Sequence, residues 1–507
     1  MIQKIDIKNG KKLHEYKNYA YLSDRVDDLY YNARSVVKKL IGKTVWMVNS
    51  TADGGGVAEM MPKIVSILRH LGVKTEWLVF SPEKEEFFLL TKKIHNLIHD
   101  LGTPGFSEDE KTLYKAVSNA AADQLEKIIS ANDLVVVHDP QPLGAGAELV
   151  RRRGIRSIWR CHIGLDKKTP NTISAWKFLE PYTYNYDHSV FSAPEYPPSF
   201  FKNNFSIISP AIDPLSHKNR EISSPELISI LYKGGIIKNG HHPHLSPSWK
   251  RKALRLNSDG KFIRTNTGDG FELLFRPSVT QISRWDRLKG WDSLIKGFVL
   301  LKSKYRKNGA DKSPQSLRLL ATQLVLAGPE PSAVQDDPEG KGVLEDLCDY
   351  YKALPSEDQN DISILTLPMS SRYQNHLMVN ALQRCSSLVV QNSLQEGFGL
   401  TATEAMWKQI PVLGTTACGL RRQIRDRKDG RLTINPVDPE EIAENFGQIL
   451  TKPKLLDKWG KSAQKMVYKK FLIFHQIEKW LNCIPNFVLK IIILCNISYM
   501  AAQKPRF

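Results

Sequence analysis

Cysteine is scarce in this chain. The six residues (Cys161, Cys348, Cys385, Cys418, Cys483 and Cys495) are spread through 507 positions without CxxC spacing. That disfavours a zinc site and a disulfide framework and fits a reducing compartment. A long hydrophobic run is missing too. The opening MIQKIDIKNGKKLHEYKN has no apolar signal-peptide region. The most apolar tail stretch, FVLKIIILCNISYMAA, is broken by Lys490 and Asn496 and is shorter than a spanning helix requires. The expectation is a soluble, cytoplasmic protein with no membrane partner.

Recognisable nucleic-acid folds are absent, as is any short-period repeat. The net charge of +18 is high, but Lys and Arg are scattered in local groups such as Arg151-Arg152-Arg153 rather than set in a stripe with aromatics. An anionic small substrate, or solubility alone, accounts for the charge, and no nucleic-acid partner is expected. His241, His242 and His244 have no carboxylate or thiol at ligand spacing, so they read as a solvated loop and not a metal site.

What is present is an α/β pattern long enough for two domains, with 41% hydrophobic and 24% charged residues, ordinary for a globular chain. After a lead over 1–42, VWMVNSTADGGGVAEMMPKIVSILRHLG reads as a strand, a glycine loop and a helix. Val57, Met60, Met61, Ile64, Leu68 and Leu71 fall on one helical face, and Gly72 is placed to end it. A strand-to-helix glycine loop presents backbone N–H groups to an anion, or is only a tight turn. DLVVVHD, IRSIWRCHIG, HSVFSAP and FSIISPAID continue a βαβ array, giving a first doubly wound domain over 43–216. Residues 217–270 lose the pattern and read as a linker and polar surface insertion. Order resumes over 271–450 with SVTQIS, QLVLAGPEP, ISILTLP, SSLVVQNS and IPVLG as further strands. A helical tail fills 451–507.

Two motifs of the second domain carry chemistry. In SRWDRLKG, Arg284 and Lys289 lie just past a strand end, suited to a diphosphate as a planar fork and a mobile point charge. Two surface cations flanking a turn are the plainer alternative. In EGFGLTATEAMWK, Glu396 sits in a strand-to-helix loop and Glu404 about one turn into the helix. Carboxylates accept from sugar hydroxyls, while N–H groups and a helix N terminus take phosphate.

EGFGLTATE resembles the Glu-x7-Glu signature of retaining glycosyltransferases with two Rossmann-like domains and a central cleft, the GT-B type. SRWDRLKG resembles their diphosphate-binding Arg and Lys. VNSTADGGGVAEM, VVVHDPQP, IWRCHIG and WKFLEPYTYNYDHSVFS are similar to the glycosyltransferring trehalose synthases and the related retaining trehalose phosphorylases. The resemblance covers roughly 43–213 and 277–450.

It implies an acceptor-side first domain and a nucleotide-sugar-binding second domain, with a nucleoside diphosphate glucose donor and a sugar acceptor as partners. Gly54, Gly55 and Gly56 would face the donor diphosphate and the reacting centre. Arg284 and Lys289 would hold the diphosphate. Glu396, Phe398, Gly399 and Leu400 would contact the transferred glucose, and Glu404 the ribose. His162 would lie beside the transferred sugar, with His138, Asp139, Gln141 and Arg160 on the acceptor side. No cofactor or metal is implied, and a homodimer is left open. The reading is glucose transfer to glucose, giving trehalose. Trehalose phosphorolysis and an inactive sugar- or nucleotide-binding protein are the alternatives. The chain departs from the pattern at Gly164, where the family reads Asp, at Asp53 for Gln, at Cys418 for Gly, and in the tail beyond Lys470.

Overall fold

Val45 to Asn49 is wholly buried, and a strand covered on both faces needs no polar alternation. The structure, a computed structural model, describes residues 1–7, 12–52, 55–202, 204–237, 249–264, 272–307, 311–331 and 339–484. These form two compact units: 1–211 with the segment from 473, and 212–472.

The first unit holds seven strands: β1 (Ile2–Ile5), β2 (Val45–Asn49), β3 (Thr75–Phe80), β4 (Leu134–His138), β5 (Arg156–Cys161), β6 (His188–Phe191) and β7 (Phe205–Ile207). Their order is β1-β3-β2-β4-β5-β6-β7, and all neighbours are parallel except the β1–β3 pair. The helix Gly55–His70 follows β2. Met61, Ile64 and Leu68 are buried on its expected face, and Gly72 at φ +91° lies beyond its end. The glycine loop is shorter than expected, because Gly55 and Gly56 already belong to this helix. Asp53 and Gly54 lie outside the described residues.

The lead is more than a polar leader. It supplies the antiparallel edge strand β1 and a 20-residue helix, Ala20–Lys39.

The second unit holds β8 (Leu254–Leu256), β9 (Phe262–Arg264), β10 (Ser278–Ile282), β11 (Gln323–Pro329), β12 (Ile362–Leu367), β13 (Leu388–Val390), β14 (Val412–Thr415) and β15 (Gly430–Thr433). Their order is β15-β14-β13-β10-β11-β12-β8-β9. The segment expected to be a featureless insertion is partly folded. It provides the helix Ser224–Lys233 and the antiparallel edge strands β8 and β9. Three-residue strands are too short to show a period in sequence. His241, His242 and His244 lie outside the described residues.

The tail divides. The helix Pro453–Lys470 packs in the second unit, whereas a helix over 473–484 belongs to the first. Among the described residues no helix is long and apolar enough to cross a membrane.

Both sheets reverse direction once. In the first, β2 leads to β3 on one side while β4 returns to the other. In the second, β10 leads to β11 while β13 returns beside β10. Ligands of open α/β sheets bind past the carboxyl ends of the strands at such reversals.

Candidate active site

The loops leaving β10 and β13 converge at the reversal of the second sheet. Gly290 takes φ +60°, and a Cβ there would overlap the Asn392 carbonyl oxygen. Asn392 ties the two loops, donating from Nδ2 to Gly290 O, Ser293 Oγ and Pro436 O, each at 3.0 Å. Gln281 bridges them again, donating to Lys289 O at 2.9 Å and accepting from Asn392 N at 2.9 Å. Lys289 Nζ thereby reaches Glu396 Oε2 at 2.8 Å, and Ser393 Oγ donates to the same oxygen at 3.0 Å. Arg284 is exposed at the start of this loop.

Gly399 follows at φ +86° and opens the helix Leu400–Trp407 with no side-chain cap. The first N–H groups of a helix lack intrahelical partners, so this end suits an anion. Phe398 is held by Gln423 Nε2 on its carbonyl and by an edge contact to Phe471. Glu404 is 6% exposed on this helix. Lys408, which the sequence reading missed, is buried and donates to Gln383 Oε1 at 2.7 Å and Glu404 O at 3.0 Å. Burial lowers its ammonium pKa against the attraction of Glu404. Its place four residues after Glu404 was the available signal.

In the first unit, β4 and β5 end in a second cluster. His138 Nδ1 and His162 Nε2 are 2.9 Å apart, with the rings nearly parallel at 15°. The other nitrogen of His138, Nε2, faces Met47 Sδ at 3.5 Å. Burial, with the Arg160 charge adding to it, pushes His138 down to about 3 and His162 well below the usual histidine range. Both rings are neutral at physiological pH.

Asp139 sits at φ +66° and accepts from the His162 backbone N–H at 2.8 Å. Burial pushes its carboxyl up to about 6. Gln141 Oε1 and His162 Nδ1 are buried without a hydrogen-bond partner among the described residues. Such atoms point to an unseen partner.

Two of the expected acceptor-side residues already have partners within the protein. Arg160, placed beside the acceptor by the resemblance, is 1% exposed and donates from Nη2 to Ile208 O at 2.5 Å and Ser192 Oγ at 3.2 Å, while its Nη1 is buried without a partner among the described residues. On a strand buried on both faces, sequence cannot tell which face an arginine takes. His138 uses both ring nitrogens within the protein, leaving neither for a substrate. Gly164 leaves no room for the family's aspartate, because a Cβ there would overlap the Tyr196 side chain.

The structure thus brings Lys289 and Glu396 together in one unit and His138, Asp139 and His162 together in the other.

The comparisons with known proteins agree with this arrangement of sheets. Residues 276–466 match the family of glycosyl transferases group 1, and residues 47–198 match the trehalose synthase N-terminal domain. An E. coli structure described as trehalose-6-phosphate bound with UDP-2-fluoro glucose superposes with a TM-score of 0.62 at 15% identity, covering 88% of this chain and 99% of that one. Sucrose-phosphate synthase from Thermosynechococcus elongatus gives a TM-score of 0.52 at 14% identity, over 90% and 100%. At such identities the likeness is one of fold. The protein is a glycosyltransferase of the GT-B fold, with two Rossmann-like domains.

The sequence relatives narrow this class. The trehalose synthase of Pyrococcus horikoshii is 32% identical over 94% of this chain and 97% of its own, and that of Rubrobacter xylanophilus 29% over 88% and 91%. The chain belongs to the trehalose synthase family. A trehalose phosphorylase of Pleurotus sajor-caju matches at 24%, over 85% of this chain and 56% of its own.

Proposed function

We propose that this protein is a retaining glucosyltransferase that moves glucose from a nucleoside diphosphate glucose to free glucose, forming trehalose. The observation that carries the reading is the Lys289–Glu396 pair at the reversal of the second sheet, just before the uncapped helix Leu400–Trp407. A cation, a carboxylate and a helix N terminus within one pair of loops match a ligand that joins phosphates to hydroxyls.

Arg284 and Lys289 bind the diphosphate and stabilise the charge that develops as it leaves. Glu396 accepts from hydroxyls of the transferred glucose, and Glu404 from the ribose. The family resemblance gives Gly54, Gly55 and Gly56 a part in binding the donor, a role suited to residues without a Cβ. Asp139, Gln141 and His162 meet sugar hydroxyls, a role supported by Gln141 Oε1 and His162 Nδ1, which are buried without a partner among the described residues. Retention follows a front-face course. The bond from the anomeric carbon to the diphosphate oxygen breaks, and the acceptor oxygen bonds to that carbon on the same face. The acceptor proton passes to the departing diphosphate oxygen. Glu396 already meets Lys289 and Ser393, which favours its binding role over that of a covalent nucleophile.

A product assay tests the reading. Purified protein is given a panel of nucleoside diphosphate glucoses with glucose and, in parallel, trehalose with phosphate. Trehalose formed only from the nucleotide sugar, and lost in Glu396→Ala and Arg284→Ala, is the expected result. Glucose 1-phosphate released from trehalose and phosphate would make it a phosphorylase. Donor binding with no turnover would leave an inactive binding protein.

A further inference from the structure

Met47, His138 and His162 form a row that crosses from β2 through the end of β4 to the residue after β5. Only one proton can lie between His138 Nδ1 and His162 Nε2, so the direction of that bond settles the tautomer of both rings. A thioether sulfur accepts hydrogen bonds and cannot donate one. The 3.5 Å contact of Met47 Sδ is therefore satisfied only when His138 carries its proton on Nε2.

A neutral His138 then has a bare Nδ1, and that nitrogen must receive its proton from His162 Nε2. Neutral His162 is left with a bare Nδ1, the atom that is buried without a partner among the described residues. The backbone helps to hold the ring, because the His162 N–H is fixed on Asp139 Oδ1 at 2.8 Å. The titratable and charged groups around the pair are Asp139, Arg160 and Cys161 of the strand ends, with Cys483 from the helix over 473–484 close to Arg160. Trp480 of that helix lies 6.5 Å from the His138 ring and supplies no polar atom to it among the described contacts.

We infer that Met47 and His138 are positioning residues that fix His162 as the Nε2–H tautomer, so that its Nδ1 accepts the O–H of a sugar hydroxyl. The inference rests on the proposed sugar transfer for its ligand class, and on the side-chain row alone for its tautomer. A hydroxyl suits a bare acceptor, whereas phosphate or carboxylate oxygens would meet it lone pair to lone pair.

The tautomer can be read on the full-length protein labelled with 15N-histidine, from correlations between ring protons and ring nitrogens. His162→Gln identifies the signal. Wild type should show His162 with a proton on Nε2 and none on Nδ1. His138→Leu removes the acceptor and should move the proton toward Nδ1. Met47→Leu, of similar volume, should do so in part. His138→Asn, whose amide oxygen stands near the position of Nδ1, should restore the pattern.

Turnover in His138→Leu should drop about tenfold, the loss expected for one hydrogen bond to substrate. Calorimetric affinity for a nucleoside diphosphate should be unchanged in the same variant. A wild-type His162 protonated on Nδ1, or a tautomer indifferent to His138→Leu, would overturn the inference. If wild type transfers no sugar at all, the proposed function fails while the nitrogen signals still decide this point.

Discussion

Lys289 Nζ stands 2.8 Å from Glu396 Oε2, although the two residues are 107 positions apart. Their side chains are 16% and 13% exposed, so the pair is shielded without being sealed. The contact follows from topology, since β10 and β13 are parallel neighbours and each loop leaves its strand at the same edge. The carboxylate therefore occupies the cation that the diphosphate is proposed to use. Glu396→Gln should release Lys289 and raise affinity for a nucleoside diphosphate without sugar by up to about fivefold, the value of a partly exposed ion pair. The same variant should transfer little or no glucose. Calorimetry and a turnover assay on one preparation test both halves. Weaker diphosphate binding would show that Glu396 orients Lys289 instead of competing for it.

The loop that carries Lys289 depends on Gly290. Its φ of +60° is unfavourable for an L side chain, and an added methyl would meet the Asn392 backbone. Gly290→Ala should cost about 2 kcal/mol or more of stability. Urea unfolding checks this, and an unchanged midpoint would mean that the two loops part more easily than the Asn392 hydrogen bonds imply.

The strand-loop-helix units around both reversals were legible in sequence, because buried strands and amphipathic helices write plain patterns. SRWDRLKG and EGFGLTATE also marked their residues by position relative to strand ends. The inward turn of Arg160 was not legible, since β5 is buried on both faces and no alternation labels its sides. Nor was the pairing of His138 with His162, which depends on strand register as well as spacing. The helix over 473–484 joins the first unit through contacts such as Gln476 to Ser209 O at 3.2 Å, which no local pattern encodes.

Gly164 stands where the family resemblance expects an aspartate. The Tyr196 side chain fills the space that an aspartate would need there. Gly164→Asp should therefore lower stability and leave trehalose formation no better than in wild type. Gly164→Asp with Tyr196→Ala should recover part of the stability lost by the single change, although Tyr196→Ala alone is destabilising. This non-additive outcome is the signature of two residues sharing one space. Additive losses in a double-mutant cycle would place the clash elsewhere.

The buried histidine predicts how acid acts on the first unit. An unfolded histidine titrates near 6.5, whereas burial holds His138 at about 3. Between those values the unfolded chain binds a proton that the native chain does not. The His138 contribution is therefore fully present above about pH 6.5 and is lost as pH falls toward 3, at up to about 1.4 kcal/mol per unit. Asp139 works in the opposite sense. Its carboxyl is raised to about 6, so the native chain holds the extra proton over the range from its ordinary value to about 6, and stability falls as pH rises through that range. In wild type the Asp139 effect partly offsets that of His138, and of His162 which acts in the same sense, between about pH 4 and 6. His138→Asn removes the His138 effect and leaves those of Asp139 and His162. The unfolding free energy of wild type minus that of the variant should therefore shrink as pH is lowered from about 6.5 to 4. Denaturant titrations of both proteins across that range measure the difference directly. Parallel curves would mean that His138 takes up its proton in the native state as readily as in the unfolded one, and that burial does not hold the ring neutral over that range.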